Sequence, residues 1–116
     1  MQELIESIKF YVSLNTNEIT LLQNSVEKKS YEKHENIFTQ GKISDRIYFI
    51  GKGCVRLFYN VKGIEKTAFF YTERQFICAG ESYTFNIPAI ENYQAVEQTE
   101  IYEFTKSKIK SLLIKV

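Results

Sequence analysis

The sequence predicts a mainly β domain: a closed or sandwiched antiparallel fold with short helices at both chain ends. Three observations carry that prediction. Short apolar runs recur between residues 47 and 104, separated by turn residues at fairly regular intervals. The chain holds 8 Tyr and 9 Phe but no Trp and one Pro, an aromatic enrichment that favours strands over a helical bundle. Helical periodicity is confined to the two ends. At 116 residues the chain is one domain at most, with room for a small core.

Taken in order, residues 3–13 read as a helix, because Leu4, Ile8 and Val12 recur every four positions with Ile5 and Tyr11 flanking the stripe. Asn15, Thr16 and Asn17 break it, and a second short helix carrying Ile19, Leu21 and Leu22 is expected to be capped by Thr16 or Asn17. Residues 26–40 are polar-rich extended chain anchored by Val26, Tyr31, Ile37 and Phe38, and Gly41 marks a turn. Ile47 to Ile50 and Cys54 to Tyr59 read as strands, with Gly51 and Gly53 bracketing a turn or bulge between them. Asn60 to Gly63 is a hairpin turn in which Gly63 is free to take positive φ, and Ile64 to Tyr71 is its partner strand. Further strands are expected at Phe76 to Cys78, Tyr93 to Glu97 and Glu100 to Phe104. A closing helix over 105–116 presents Ile109, Leu112, Leu113 and Val116 on one face, capped by Thr105 or Ser107.

Composition narrows the function classes. A net charge of +1 argues against a protein that coats nucleic acid, and no basic cluster interleaved with aromatics is present. Two cysteines are too few for a disulfide framework, and the single histidine cannot build a multi-histidine metal site. No apolar run approaches the length of a membrane span and no signal peptide is evident, so a cytoplasmic protein with reduced thiols is expected. His34 sits in a polar turn and reads as a surface residue, while Cys54 and Cys78 read as small buried hydrophobes.

The segment with the most chemical interest is Gly80-Glu81-Ser82-Tyr83, followed by an uncharged run from Ser82 to Ile90. A glycine-flanked carboxylate beside small polar residues suits a ligand hydroxyl, and the amides around Gly80, Ser82 and Tyr83 could form an anion-binding nest. The plainer reading is an ordinary loop with a solvated glutamate. A phosphate would ordinarily need an arginine for bidentate pairing. Arg46, Arg56 and Arg74 are the three in the chain, and none lies within Glu81 to Tyr93.

Phe38-Thr39-Gln40-Gly41-Lys42, then Asp45-Arg46-Ile47-Tyr48-Phe49-Ile50, then Gly53-Cys54-Val55-Arg56-Leu57, resembles the opening of a cyclic-nucleotide-binding domain. More narrowly, it resembles the effector domain of Crp/Fnr-type bacterial transcription regulators. The hairpin with Gly63-Ile64-Glu65 continues the likeness, Gly80-Glu81-Ser82 resembles the Gly-Glu of the phosphate-binding cassette, and Ala95 to Val116 resembles the last strands and closing helix. The resemblance implies a double-stranded β-helix, or jelly roll, with a helical lead-in over 1–25, a β-roll over 26–104 and a closing helix over 105–116. It also implies that Glu81 is the candidate contact to a ribose 2′-hydroxyl. Where the family's phosphate-binding arginine is expected, this chain runs Pro88-Ala89-Ile90-Glu91, which counts against cyclic AMP or cyclic GMP as the ligand.

Regulators of this type continue into a long dimerisation helix and a winged helix-turn-helix, and the resemblance implies DNA contact only through such a C-terminal domain, with a homodimer for the full-length protein. The ending inside an apolar-faced helix favours a truncated regulator over a stand-alone domain. Three functions follow as expectations. The first is a sensor that takes a small-molecule effector at Gly80–Tyr83. The second is an interaction module that uses Leu4/Ile8/Val12 and Ile109/Leu112/Val116 as its surface. The third is an enzyme of the cupin kind, which one histidine argues against.

Overall fold

The apolar stripe at the N-terminus folds as helix α1 (Gln2–Tyr11), and a second helix, α2 (Thr16–Ser25), follows after a short break. The computed structural model describes residues 1–11 and 13–108, so Val12 and the apolar positions from Ile109 to Val116 lie outside the described residues. The cap of α2 is Asn15 rather than Thr16 or Asn17. Its side-chain oxygen accepts from the Glu18 amide at 2.8 Å, while the Glu18 carboxylate accepts from the Asn15 amide at 2.9 Å. Two orphan helix donors are thereby satisfied reciprocally, which neither neighbouring residue can do with a glutamate three positions on.

Eight strands follow: β1 (Glu27–Tyr31), β2 (Asn36–Phe38), β3 (Arg46–Lys52), β4 (Val55–Val61), β5 (Ile64–Tyr71), β6 (Phe76–Ile77), β7 (Asn92–Ala95) and β8 (Thr99–Thr105). They form two four-stranded antiparallel sheets, ordered β1-β8-β3-β6 and β2-β7-β4-β5. A third helix, α3 (Gly80–Phe85), interrupts the strand sequence between β6 and β7. The hairpin joining β4 and β5 turns on Lys62 and Gly63 alone, both at positive φ (54° and 82°), as a two-residue loop between twisted strands requires.

The inner faces of the sheets meet around Phe38, Ile50, Val55, Leu57, Ile77, Tyr93 and Ile101. Residues alternate faces along a strand, yet Tyr48, Phe49 and Ile50 are all buried. The reason is that the first sheet is covered on both sides: Leu4 of α1 packs with Phe49, Tyr102 and Phe104 on the outer face. Of the Leu4/Ile8/Val12 stripe expected to serve as a docking surface, Leu4 and Ile8 are therefore turned to the domain's own core. Leu4 is fully buried and Ile8 packs against the same cluster. The single buried glutamate among the described residues, Glu103, is satisfied by Arg46 Nη1 at 2.9 Å, Lys29 Nζ at 3.4 Å and the Tyr31 hydroxyl, and it ties β1, β3 and β8 together.

Gly53 shows why one turn can hold only glycine. Its φ is +112°, and a Cβ there would stand 2.4 Å from Thr99 Oγ1 and 2.8 Å from Thr99 Cα. The closeness lets the β3–β4 turn nest against β8, whose Thr99 hydroxyl accepts from the Cys54 amide at 3.3 Å.

Candidate functional site

The stretch read from sequence as a loop, Gly80 to Phe85, is a short helix that ends at Asn86 in the left-handed conformation (φ 57°). The Tyr83 amide donates to Ala79 O at 2.8 Å and the Asn86 amide to Ser82 O at 2.9 Å, so the Tyr83 amide is spent inside the helix and is no donor to an anion nest. Ser82 is buried, and its hydroxyl accepts from the equally buried Ser44 amide at 2.8 Å. Glu81 is exposed, and a Cβ at Gly80 would meet open space. Of the four candidate residues, Ser82 and Tyr83 position α3, while Gly80 and Glu81 face outward from its first turn.

Three neighbouring segments hold this helix and the run after it. Gly41 N donates to Ala89 O at 2.8 Å and Ala89 N to Lys42 O at 2.9 Å, so residues 41–42 and 89 pair like a short ladder. Asn92 closes the pairing, accepting from Gln40 N and donating to Gln40 Oε1, both at 2.9 Å. From the other side, Lys106 donates its backbone amide to Asp45 O at 2.7 Å and its ammonium to Tyr83 O, with Nζ 4.8 Å from the Tyr83 ring centroid. A cation at the C-terminal end of α3 meets both the helix's exposed carbonyls and an aromatic face. Sequence reading placed Lys106 on a wet helix face; no local pattern signals a contact 23 residues away.

Where a phosphate-binding arginine was sought, Ala89 is buried and Glu91 is half-buried. Two of the three arginines are held in hydrogen-bonded ion pairs and the third lies exposed beside a glutamate. Arg46 pairs with Glu103, and Arg74 lies 3.8 Å from Glu6. Arg56 reaches Glu65 at 2.6 Å and Gln94 at 2.8 Å and lies 4.1 Å over the Phe58 ring.

Aromatic rings line the inner face of the second sheet beside this segment. Phe38 and Tyr93 are 6.4 Å apart between centroids, Tyr93 and Tyr71 6.3 Å, and Tyr71 and Phe69 4.8 Å. The strand registers explain the row: Leu57 of β4 faces Tyr93 of β7 on one side and Phe69 of β5 on the other. Tyr93 is buried, with its hydroxyl donating to Cys78 O at 3.3 Å. Burial pushes the Tyr93 phenol well above its ordinary pKa, with the nearby Tyr71 and Glu91 adding to the shift. Burial likewise pushes the Cys78 thiol up, with Glu91 adding to the shift and Lys106 opposing it, which disfavours the thiolate. Phe85 projects into solvent and Tyr83 is half-buried, which separates the aromatics whose placement the sequence left open.

Among the described residues no group of three or more His, Cys, Asp or Glu could hold a metal ion, and no helix is long and apolar enough to cross a membrane.

The chain is similar in fold to the Thermus thermophilus catabolite activator protein, with a TM-score of 0.75 at 23% identity over 90% of this chain and 49% of that one. It is similar to the sensor domain of the transcriptional regulator DNR from Pseudomonas aeruginosa, with a TM-score of 0.84 at 21% identity over 97% and 76%. The regulatory domain of Toxoplasma gondii PKA, solved with cAMP, gives a TM-score of 0.81 at 14% identity over 96% and 43%. The chain therefore spans about half the length of the Thermus protein and less of the Toxoplasma one. No curated protein matches it. The cyclic nucleotide-binding domain family matches residues 28–115, most of the sequence, and the chain belongs to that family of non-catalytic regulatory domains.

Proposed function

We propose that the chain is the sensor part of a Crp/Fnr-type transcription regulator, a jelly roll whose effector site around Gly80–Tyr83 has lost its cyclic-nucleotide chemistry. The lead-in over 1–25, the roll over 26–104 and the element from 105 onward act as one cytoplasmic domain. DNA is contacted by a further C-terminal domain, and the full-length regulator is a homodimer. The observation that carries the reading is the charge of the site: Arg46 and Arg56 are hydrogen-bonded to other partners, exposed Arg74 lies beside Glu6, and the segment at the expected arginine bears buried Ala89 and the carboxylate of Glu91. An anionic phosphate there would lose a bidentate charged contact and face a like charge, a penalty of about 2–5 kcal/mol.

The route from site to output is the Lys106 clasp. Lys106 holds α3 through Tyr83 O and the 44–46 segment through Asp45 O, at the start of the chain's exit from the second core cluster. An effector that moves α3 changes that clasp, and it must bind the two arrangements with different affinity to do so. Thermal unfolding with millimolar cyclic AMP or cyclic GMP tests the ligand part. The midpoint is expected to stay put. A ligand bound at 100 times its dissociation constant stabilises by about 2.7 kcal/mol, so a rise of several degrees would overturn the reading.

A further inference from the structure

The inner face of the second sheet has a chemistry of its own beside helix α3. Continuing the β4–β7 register by one step from Phe58↔Asn92 sets Glu91 across from Tyr59. Tyr59, Tyr71 and Glu91 are each half-buried, and Phe69 is 50% exposed, so the wall is open to one side. Ile87 and Ile90 form an exposed apolar rim in the segment leading to Glu91. The Glu91 carboxylate is held in place by the Ile90 amide at 3.1 Å.

We propose that this wall binds a small organic cation, an amine or quaternary ammonium, held over the faces of Tyr59 and Tyr71 with Phe69 as its outer edge and Glu91 as its counter-charge. Aromatic faces carry negative potential and attract a cation, most strongly where water is excluded. A carboxylate beside them selects for positive charge over an apolar body of the same shape. Burial raises the phenols of Tyr71 and Tyr93, and Glu91 adds to both shifts, in keeping with its position across from Tyr59 in the extended register. Lys106 is committed to Tyr83 O, and Lys66, opposite Tyr59 on β5, is exposed at the outer strand. The inference rests on the reading that the site no longer takes a cyclic phosphate.

The test is a pair of isosteres titrated into the whole chain and followed by calorimetry and amide chemical shifts: choline, and 3,3-dimethylbutan-1-ol, which has carbon in place of the ammonium nitrogen. Choline is expected to saturate with shifts centred on Tyr59, Tyr71 and Glu91, and to bind at least about tenfold tighter than the alcohol. Glu91→Gln is expected to weaken it at least about fivefold, Tyr71→Ala by a similar factor, and Tyr71→Phe by less than about twofold because the ring is kept. Circular dichroism checks that each variant folds, and Glu91→Gln carries the test if Tyr71→Ala does not. Equal binding of the two isosteres, unchanged choline binding by Glu91→Gln, or no saturable shift with either choline or phenethylammonium would overturn the proposal. If neither of those cations nor cyclic AMP binds, this inference falls and the loss of nucleotide chemistry stands. If cyclic AMP binds at the same wall, both fall.

Discussion

Replacing Lys106 with Met tests whether the clasp on α3 holds the helix. Methionine keeps most of the apolar stem and removes the ammonium. The structure gives that ammonium two partners, the Tyr83 carbonyl and the Tyr83 ring at 4.8 Å, and Tyr83 sits in the last turn of α3. A hydrogen bond from a charged donor contributes about 1.5–3 kcal/mol and an exposed cation–π contact about 0.5–1. Lys106 is only half-buried, and both contacts use one group, so the two are not summed and a net of about 1–2 kcal/mol is expected. If α3 opens locally, that corresponds to roughly 5- to 30-fold faster amide hydrogen exchange at residues 83–86, with little change in the sheets. Hydrogen exchange read by mass spectrometry or NMR on wild type and Lys106→Met decides it. Unchanged exchange across α3 in a folded variant would refute the clasp, and with it the proposed route from the site to the C-terminal element.

Three other outcomes follow from the geometry. Gly53→Ala forces a Cβ to 2.4 Å from Thr99 Oγ1 at a φ of +112°, whereas Gly63→Ala meets open space at +82°. The first should lower stability by about 2–4 kcal/mol and the second by about 1, and similar midpoints in chemical denaturation would contradict the close approach. Asn15→Ala removes the cap of α2 and should cost about 1 kcal/mol, with Thr16→Ala near neutral if Asn15 is the cap. Burial raises the phenols of Tyr31, Tyr48 and Tyr93, that of Tyr48 to about 12. The folded state favours the neutral phenol, so this contribution is complete below the unfolded pKa of about 10 and is lost as pH rises toward the folded value. Melting temperature should therefore fall between about pH 10 and 12, and a phenolate absorbance titration matching free tyrosine throughout would contradict it.

The legible parts of the fold are those whose signal is local. Ile47 to Ile50, Cys54 to Tyr59 and Ile64 to Tyr71 combine β-forming residues with glycine turns, and β3, β4 and β5 lie there with ends moved by a few residues. β1 is Glu-Lys-Lys-Ser-Tyr, an edge strand with no apolar alternation to betray it; only pairing with β8 makes it a strand. The Asn15 cap was readable in principle, since Glu18 stands three residues on, but Thr16 and Asn17 compete for the same role when residue type alone is weighed. α3 was the harder case. Its six residues carry no helical stripe, and what orders it lies far off in sequence: Ser44 on Ser82 and Lys106 on Tyr83. The candidate site divides the same way. The missing arginine is visible in Pro88-Ala89-Ile90-Glu91, while the row of Phe38, Tyr93, Tyr71 and Phe69 exists only once β2, β7, β4 and β5 are in register.

The central claim is that this member of the cyclic nucleotide-binding domain family no longer holds a cyclic phosphate. Isothermal titration calorimetry of cyclic AMP into the chain, with cyclic GMP in parallel and at two temperatures to avoid an accidental zero enthalpy, tests it most directly. The account predicts no saturable heat for either nucleotide. Saturable binding at micromolar affinity, abolished by Glu81→Ala, would contradict it and would require that a cation outside the Arg46 and Arg56 ion pairs meets the phosphate.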